Sequence, residues 1–124
     1  MRLQALRGAT TCSVDSKTEI ETKTVALVKE LFARNGLADD DVVSMIFTTT
    51  PDLTAQFPAT AARAALGLDD IPLLGAQEQA VAGGTPRCVR ILIHCYTDRP
   101  RTELCHVFLE GAAQLRGDLA TSGQ

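Results

Sequence analysis

With 124 residues, a formal net charge of -3 and a sequence pI near 5.3, the chain reads as a single domain lacking the basic footprint of a nucleic-acid binder. No charged leader followed by an apolar stretch is visible, and the longest apolar run, Val89 to Cys95, is too short to cross a bilayer, so a cytoplasmic protein is expected. Cys12, Cys88, Cys95 and Cys105 sit in apolar contexts without paired spacing, which predicts reduced thiols acting as small hydrophobes.

In chain order, Leu3 to Thr11 reads as a strand. Ser16, with Glu19 three residues later, carries a capping-box signature, and Ile20, Thr24, Leu27, Val28 and Leu31 then share one helical face as far as the Asn35-Gly36 stop. Val42 to Thr49 is rich in β-branched and large apolar residues and predicts a second strand, ending before Thr50-Pro51-Asp52. A loop leads to Phe57. Pro58 opens a short alanine-rich helix carrying Arg63 and closed by Gly67, and Pro72 to Gly75 is a short strand. After the Gly83-Gly84 turn come a long strand, Arg87 to Thr97, and a fifth, Cys105 to Leu109. From Gly111 a helical turn is expected, with residues 116–124 a flexible tail. The fold class is therefore α+β, a five-stranded mixed sheet with one long and one short helix.

Within the long strand, Val89, Ile91, Ile93 and Cys95 make one apolar face; Cys88, Arg90, Leu92, His94 and Tyr96 make a mixed one. A guanidinium among apolar groups needs an anion, which points to an anionic ligand or a buried ion pair; the alternative is an edge arginine that snorkels to water. One long helix is too little to cover both faces of five strands, so a homo-oligomer is expected, with a ligand site at the subunit junction.

Other motifs are weak. Gly83-Gly84 lacks the continuation of a phosphate loop, no serine-histidine-aspartate arrangement is present, and Cys95, Cys105, His94 and His106 lack metal-site spacing. His94 and His106 read as sheet residues without assigned chemistry. Arg116-Gly117-Asp118 resembles an adhesion motif only by chance. Arg7, Arg63, Arg90 and Arg116, each near glycine or apolar residues, and Glu78 together suit a small dianion that carries a hydroxyl.

Arg7-Gly8-Ala9-Thr10-Thr11, Thr50-Pro51-Asp52-Leu53, Phe57-Pro58-Ala59 with Arg63, Gln77-Glu78, Cys88-Val89-Arg90, Thr97-Asp98, His106-Val107-Phe108-Leu109 and Leu115-Arg116 resemble, in order and spacing, the monofunctional α/β chorismate mutases. The resemblance runs from about Leu3 to Leu119. It implies a homotrimer forming a pseudo-α/β barrel, active sites at subunit interfaces, and a cofactor-free conversion of chorismate to prephenate in aromatic amino-acid biosynthesis. It further implies that Arg90 donates to the ether oxygen and a carboxylate, Arg7 clamps a carboxylate and Glu78 accepts from the ring hydroxyl. Phe57, Ala59, Thr60, Arg63 and the backbone of Leu73, Leu74 and Gly75 would come from the neighbouring subunit. Phe57 and Leu115 would wall the ring, and Arg116 would be a secondary cation on a closing tail. Three positions depart from the pattern: Gly75 stands where a small polar side chain is usual, Thr60 where lysine is common, and Phe108 where a tyrosine hydroxyl would meet a carboxylate. These departures imply weaker substrate binding. They also keep open a non-catalytic trimer that binds a small carboxylate, and, less well matched, a related trimeric enzyme acting on imino or keto acids.

Overall fold

The computed structural model describes residues 1–115, and Arg116 with the rest of the tail lies outside them. Five strands, β1 (Arg2–Thr11), β2 (Val42–Thr49), β3 (Leu73–Gln77), β4 (Cys88–Thr97) and β5 (Val107–Phe108), form one mixed sheet in the order β3-β2-β4-β1-β5. The most apolar strand, β4, is central. It runs antiparallel to β1 over its whole length, from Arg2 opposite Thr97 to Thr11 opposite Cys88, and antiparallel to β2 on its other side. β3 runs parallel to β2, and β5 parallel to β1.

Two helices connect strands that run the same way: α1 (Lys17–Asn35) follows β1, and α2 (Pro58–Leu66) links β2 to β3. Both lie on one face of the sheet. Leu27, Val28 and Leu31 of α1 and Ala62 of α2 join Leu6, Met45, Phe47, Ile91 and Ile93 in a single core cluster. Gly8 is required beneath α1, because a Cβ there would lie 2.8 Å from the Leu31 Cδ1 and 3.1 Å from the Leu27 Cδ1. The predicted alternation of β4 is therefore present: Val89, Ile91, Ile93 and Cys95 are all buried.

The other face carries no helix longer than a short turn among the described residues. Leu3, Leu74 and Tyr96 are exposed on it, Leu74 to 61%. Only its β1–β5 end is covered, where a 3-10 turn, Glu110–Gln114, lays Ala112 against Ala9, Cys88 and Phe108.

Four local expectations are corrected. The capping box at α1 is half made: the Ser16 hydroxyl accepts from the Glu19 N–H at 3.1 Å, but the Glu19 carboxylate takes the N–H and hydroxyl of Ser13, both at 2.9 Å. β5 is two residues long rather than spanning Cys105 to Leu109, because the N–H and C=O of Cys105 are both taken by the side chain of Asn35, at 2.8 Å each. The next residue, His106, accepts the Arg7 backbone N–H at its Nδ1 (3.0 Å), so it acts as a connector between segments and not as a sheet residue. β3 instead runs longer than Pro72 to Gly75, pairing with β2 as far as Thr49 opposite Gln77.

Candidate active site

The extension of β3 determines where Glu78 sits. Its N–H donates to the Thr49 carbonyl at 2.8 Å, which carries its side chain over the open face. Arg90 reaches the same place from β4, where its cross-strand neighbours are Ala9 on β1 and Thr48 on β2. The Arg90 Nε lies 3.1 Å from the Glu78 Oε1, with the side chains 35% and 20% exposed. This is a charge contact and not an aligned hydrogen bond, since the Nε is enclosed and finds no hydrogen-bond partner of good geometry among the described residues. The other carboxylate oxygen, Oε2, accepts from the Thr48 hydroxyl at 2.7 Å. Arg90 is thus neither splayed into solvent nor sealed off. It lines a pocket of about 500 Å³ with Thr50, Asp52, Glu78 and Gln79.

The start of β4 is fixed by polar contacts. The Thr50 hydroxyl accepts from the Cys88 N–H at 2.9 Å, Asp52 accepts from the Arg87 N–H at 2.9 Å, and the Arg87 side chain donates to the Cys12 carbonyl at 2.9 Å. These bonds hold Arg87 at a positive φ of 47°, three residues before Arg90. The hydrogen bonds from Thr50 and Arg87 keep the Asp52 carboxyl below the usual carboxylate range, so it stays ionised and accepting. Burial pushes the Cys88 thiol up although the Arg90 cation pulls it down, and burial lifts Cys12 to about 11, so both remain thiols at neutral pH.

Arg7 lies on the same open face, opposite Leu92 and so diagonal to Arg90, half-buried. Phe108 is buried against Ala9, Cys88 and Ala112, with Leu115 packed beside it. The remaining described candidates lie elsewhere. Phe57, Ala59, Thr60, Arg63, Leu73 and Gly75 line a pocket of about 700 Å³ between α2, the preceding loop and β3. Phe57 is 73% exposed there. A Cβ on Gly75 would meet no atom within 4 Å, so the missing side chain leaves open space. Leu74 points the other way, from an edge strand whose outer backbone has no strand neighbour among the described residues.

The sheet therefore separates the candidates into two groups: Arg7, Glu78, Arg90, Phe108 and Leu115 on the open face or its rim, and the Phe57–Arg63–Gly75 group on the helix-bearing side of β3. The loop holding the second group is tied to the start of α1. Asp15 accepts from the Thr54 and Ala55 N–H groups and from the Thr54 hydroxyl, and Glu21 accepts from Gln56. Sequence reading missed Thr48, Asp15 and His106; the period of β2 identifies the face of Thr48, but only the register shows what it touches.

The family profile described as chorismate mutase type I matches residues 3–119. The chain belongs to the type I chorismate mutases. Curated proteins similar to it include chorismate mutase AroH of Bacillus subtilis (strain 168), 39% identical over 120 residues, spanning 97% of this chain and 94% of the relative. AroH of Thermus thermophilus is 38% identical over 121 residues, spanning 97% and 98%. Among solved structures, the chorismate mutase from Clostridium thermocellum matches with a TM-score of 0.88 at 43% identity, covering 90% of this chain and 99% of that one. The five-stranded mixed sheet with one long and one short helix is thus the fold of a chorismate mutase, as the resemblance in the sequence implied.

Proposed function

We propose that this chain converts chorismate to prephenate in the cytoplasm, as a step of aromatic amino-acid biosynthesis, at sites shared between the subunits of a homotrimer. Membership of the chorismate mutases supports the activity. The observation that carries the mechanism is the Arg90–Glu78 pair standing in an open pocket of the sheet face opposite α1 and α2.

The rearrangement is intramolecular: the ether C–O bond breaks as a C–C bond forms, with no proton to move and no covalent enzyme intermediate. Catalysis then rests on holding the substrate in a bent conformer and on stabilising the negative charge that develops on the ether oxygen. Arg90 is the cation placed for that charge. Arg7, on the next strand of the same face, suits a substrate carboxylate, and Glu78 suits the ring hydroxyl. Phe57, Ala59, Thr60, Arg63 and the Leu73–Gly75 backbone complete the site from a second subunit, with Arg116 as a secondary cation. Two points support sharing: the sheet separates the two groups within one chain, and the face opposite the helices, with a β3 edge that has no strand neighbour among the described residues, is a surface that a copy would cover.

Chorismate mixed with the purified protein should lose its ultraviolet absorbance. Arg90→Ala should lower turnover by about a hundredfold to a thousandfold while the oligomer stays intact, and Arg90→Lys should not restore it, since an ammonium lacks the planar fork. Full activity in Arg90→Ala would remove the mechanism. Binding without turnover by the unaltered protein would favour the non-catalytic carboxylate binder, the reading that Thr60, Gly75 and Phe108 keep in view.

A further inference from the structure

We infer that Thr48 is a positioning residue of this site, acting through Glu78 to keep the Arg90 guanidinium open to the substrate. The inference rests on the mutase reading and deepens it. Thr48 lies directly opposite Arg90 in the β2–β4 register, so both side chains leave the same face of the sheet at the same level. Left alone, a carboxylate beside an arginine settles into a forked, two-bond pair with the guanidinium. Here that arrangement is absent. The Glu78 Oε2 is held by the Thr48 hydroxyl at 2.7 Å, and the Oε1 lies 3.1 Å from the Arg90 Nε without hydrogen-bond alignment.

The short bond to the neutral hydroxyl and the poor alignment with the cation have one cause: Thr48 draws the carboxylate toward β2. Glu78 itself is anchored at its backbone to the adjacent Thr49 carbonyl, 2.8 Å away, so only its side chain is left to be steered. The anion then meets the inner nitrogen of a guanidinium whose side chain lines the pocket, which leaves the outer end of the guanidinium for a substrate. Without the hydroxyl, Glu78 swings onto that outer end and competes with the substrate's carboxylates for it. Such competition is paid in binding, because Thr48 touches no reacting atom.

Steady-state kinetics on chorismate test this with the intact oligomer. Thr48→Val keeps the branched shape and removes the hydroxyl; it should raise KM about tenfold while kcat changes less than about threefold. Thr48→Ser keeps the hydroxyl and removes the methyl; it should stay within about twofold of the unaltered protein. In a Glu78→Ala background, Thr48→Val should have no further effect, because its route to Arg90 is gone. If Thr48→Val fails to assemble, Thr48→Ala, which also lacks the hydroxyl, must show the same rise in KM. Unchanged kinetics in Thr48→Val, damage in Thr48→Ser equal to that in Thr48→Val, or an undiminished Thr48 effect without Glu78 would each overturn the inference and leave the mutase reading standing. An unaltered protein that does not turn chorismate over would instead overturn that reading, and this inference with it.

Discussion

Arg90 keeps its charge on a central strand because two neighbours divide the work: Glu78 supplies the counter-ion and the pocket supplies partial solvation. Phe108 shows the opposite economy at the same face. It is 5% exposed and packs against Ala9, Cys88 and Ala112, offering no donor where the resemblance in the sequence implied a tyrosine. Phe108→Tyr should therefore lower KM by about tenfold, the worth of one hydrogen bond to a carboxylate, with kcat little changed. An unchanged KM would mean that the hydroxyl was not limiting. At this scale Arg90 was legible in the sequence, because a charge inside an apolar alternation stands out. Thr48 was not, because a threonine in a β-rich run looks like any other strand former until its cross-strand partner is known.

Between elements, the loop that carries Phe57 depends on a residue far from it in sequence. Asp15 accepts from Thr54 and Ala55, and the Thr54 hydroxyl, more than either backbone N–H, lowers its pKa below the ordinary 3.8. Because the folded value is depressed, the clamp is fully present above 3.8 and is lost only as pH falls through the lower folded value. The amide signals of Thr54 and Ala55 should accordingly titrate with a midpoint below that of a free aspartate; a midpoint near neutral pH would contradict the assignment. Asp15→Asn should leave the fold intact and raise KM several-fold, roughly as expected for a loosened binding loop. Glu19 repeats the lesson. Its spacing from Ser16 announces a helix start correctly, yet its carboxylate binds Ser13, because the chain entering from β1 brings those donors closer.

For the molecule as a whole, the division of candidates by the sheet makes a specific prediction about assembly. If each site takes Arg90 from one subunit and Arg63 from its neighbour, an Arg90→Ala variant and an Arg63→Ala variant damage opposite halves of every site. Dissociated together and reassembled as mixed trimers, they should regain about a quarter of the unaltered activity, since that is the share of junctions pairing two intact halves at random. Mixtures no more active than their components would show that each site lies within one chain. The sequence by itself determined the element order, the helix stops at Gly36 and Gly67, the apolar face of β4 and the presence of a charge on its other face, because periodicity, capping and charge in an apolar run are local properties. Only the tertiary structure decided that β3 extends to bring Glu78 beside Arg90, that Asn35 and His106 cut β5 short, that the Thr48 hydroxyl meets the Glu78 carboxylate and that the sheet places the Phe57–Arg63–Gly75 group on the other side from Arg90. Those outcomes depend on strand register and on which distant donor reaches an acceptor first, and neither is set by any short stretch of chain.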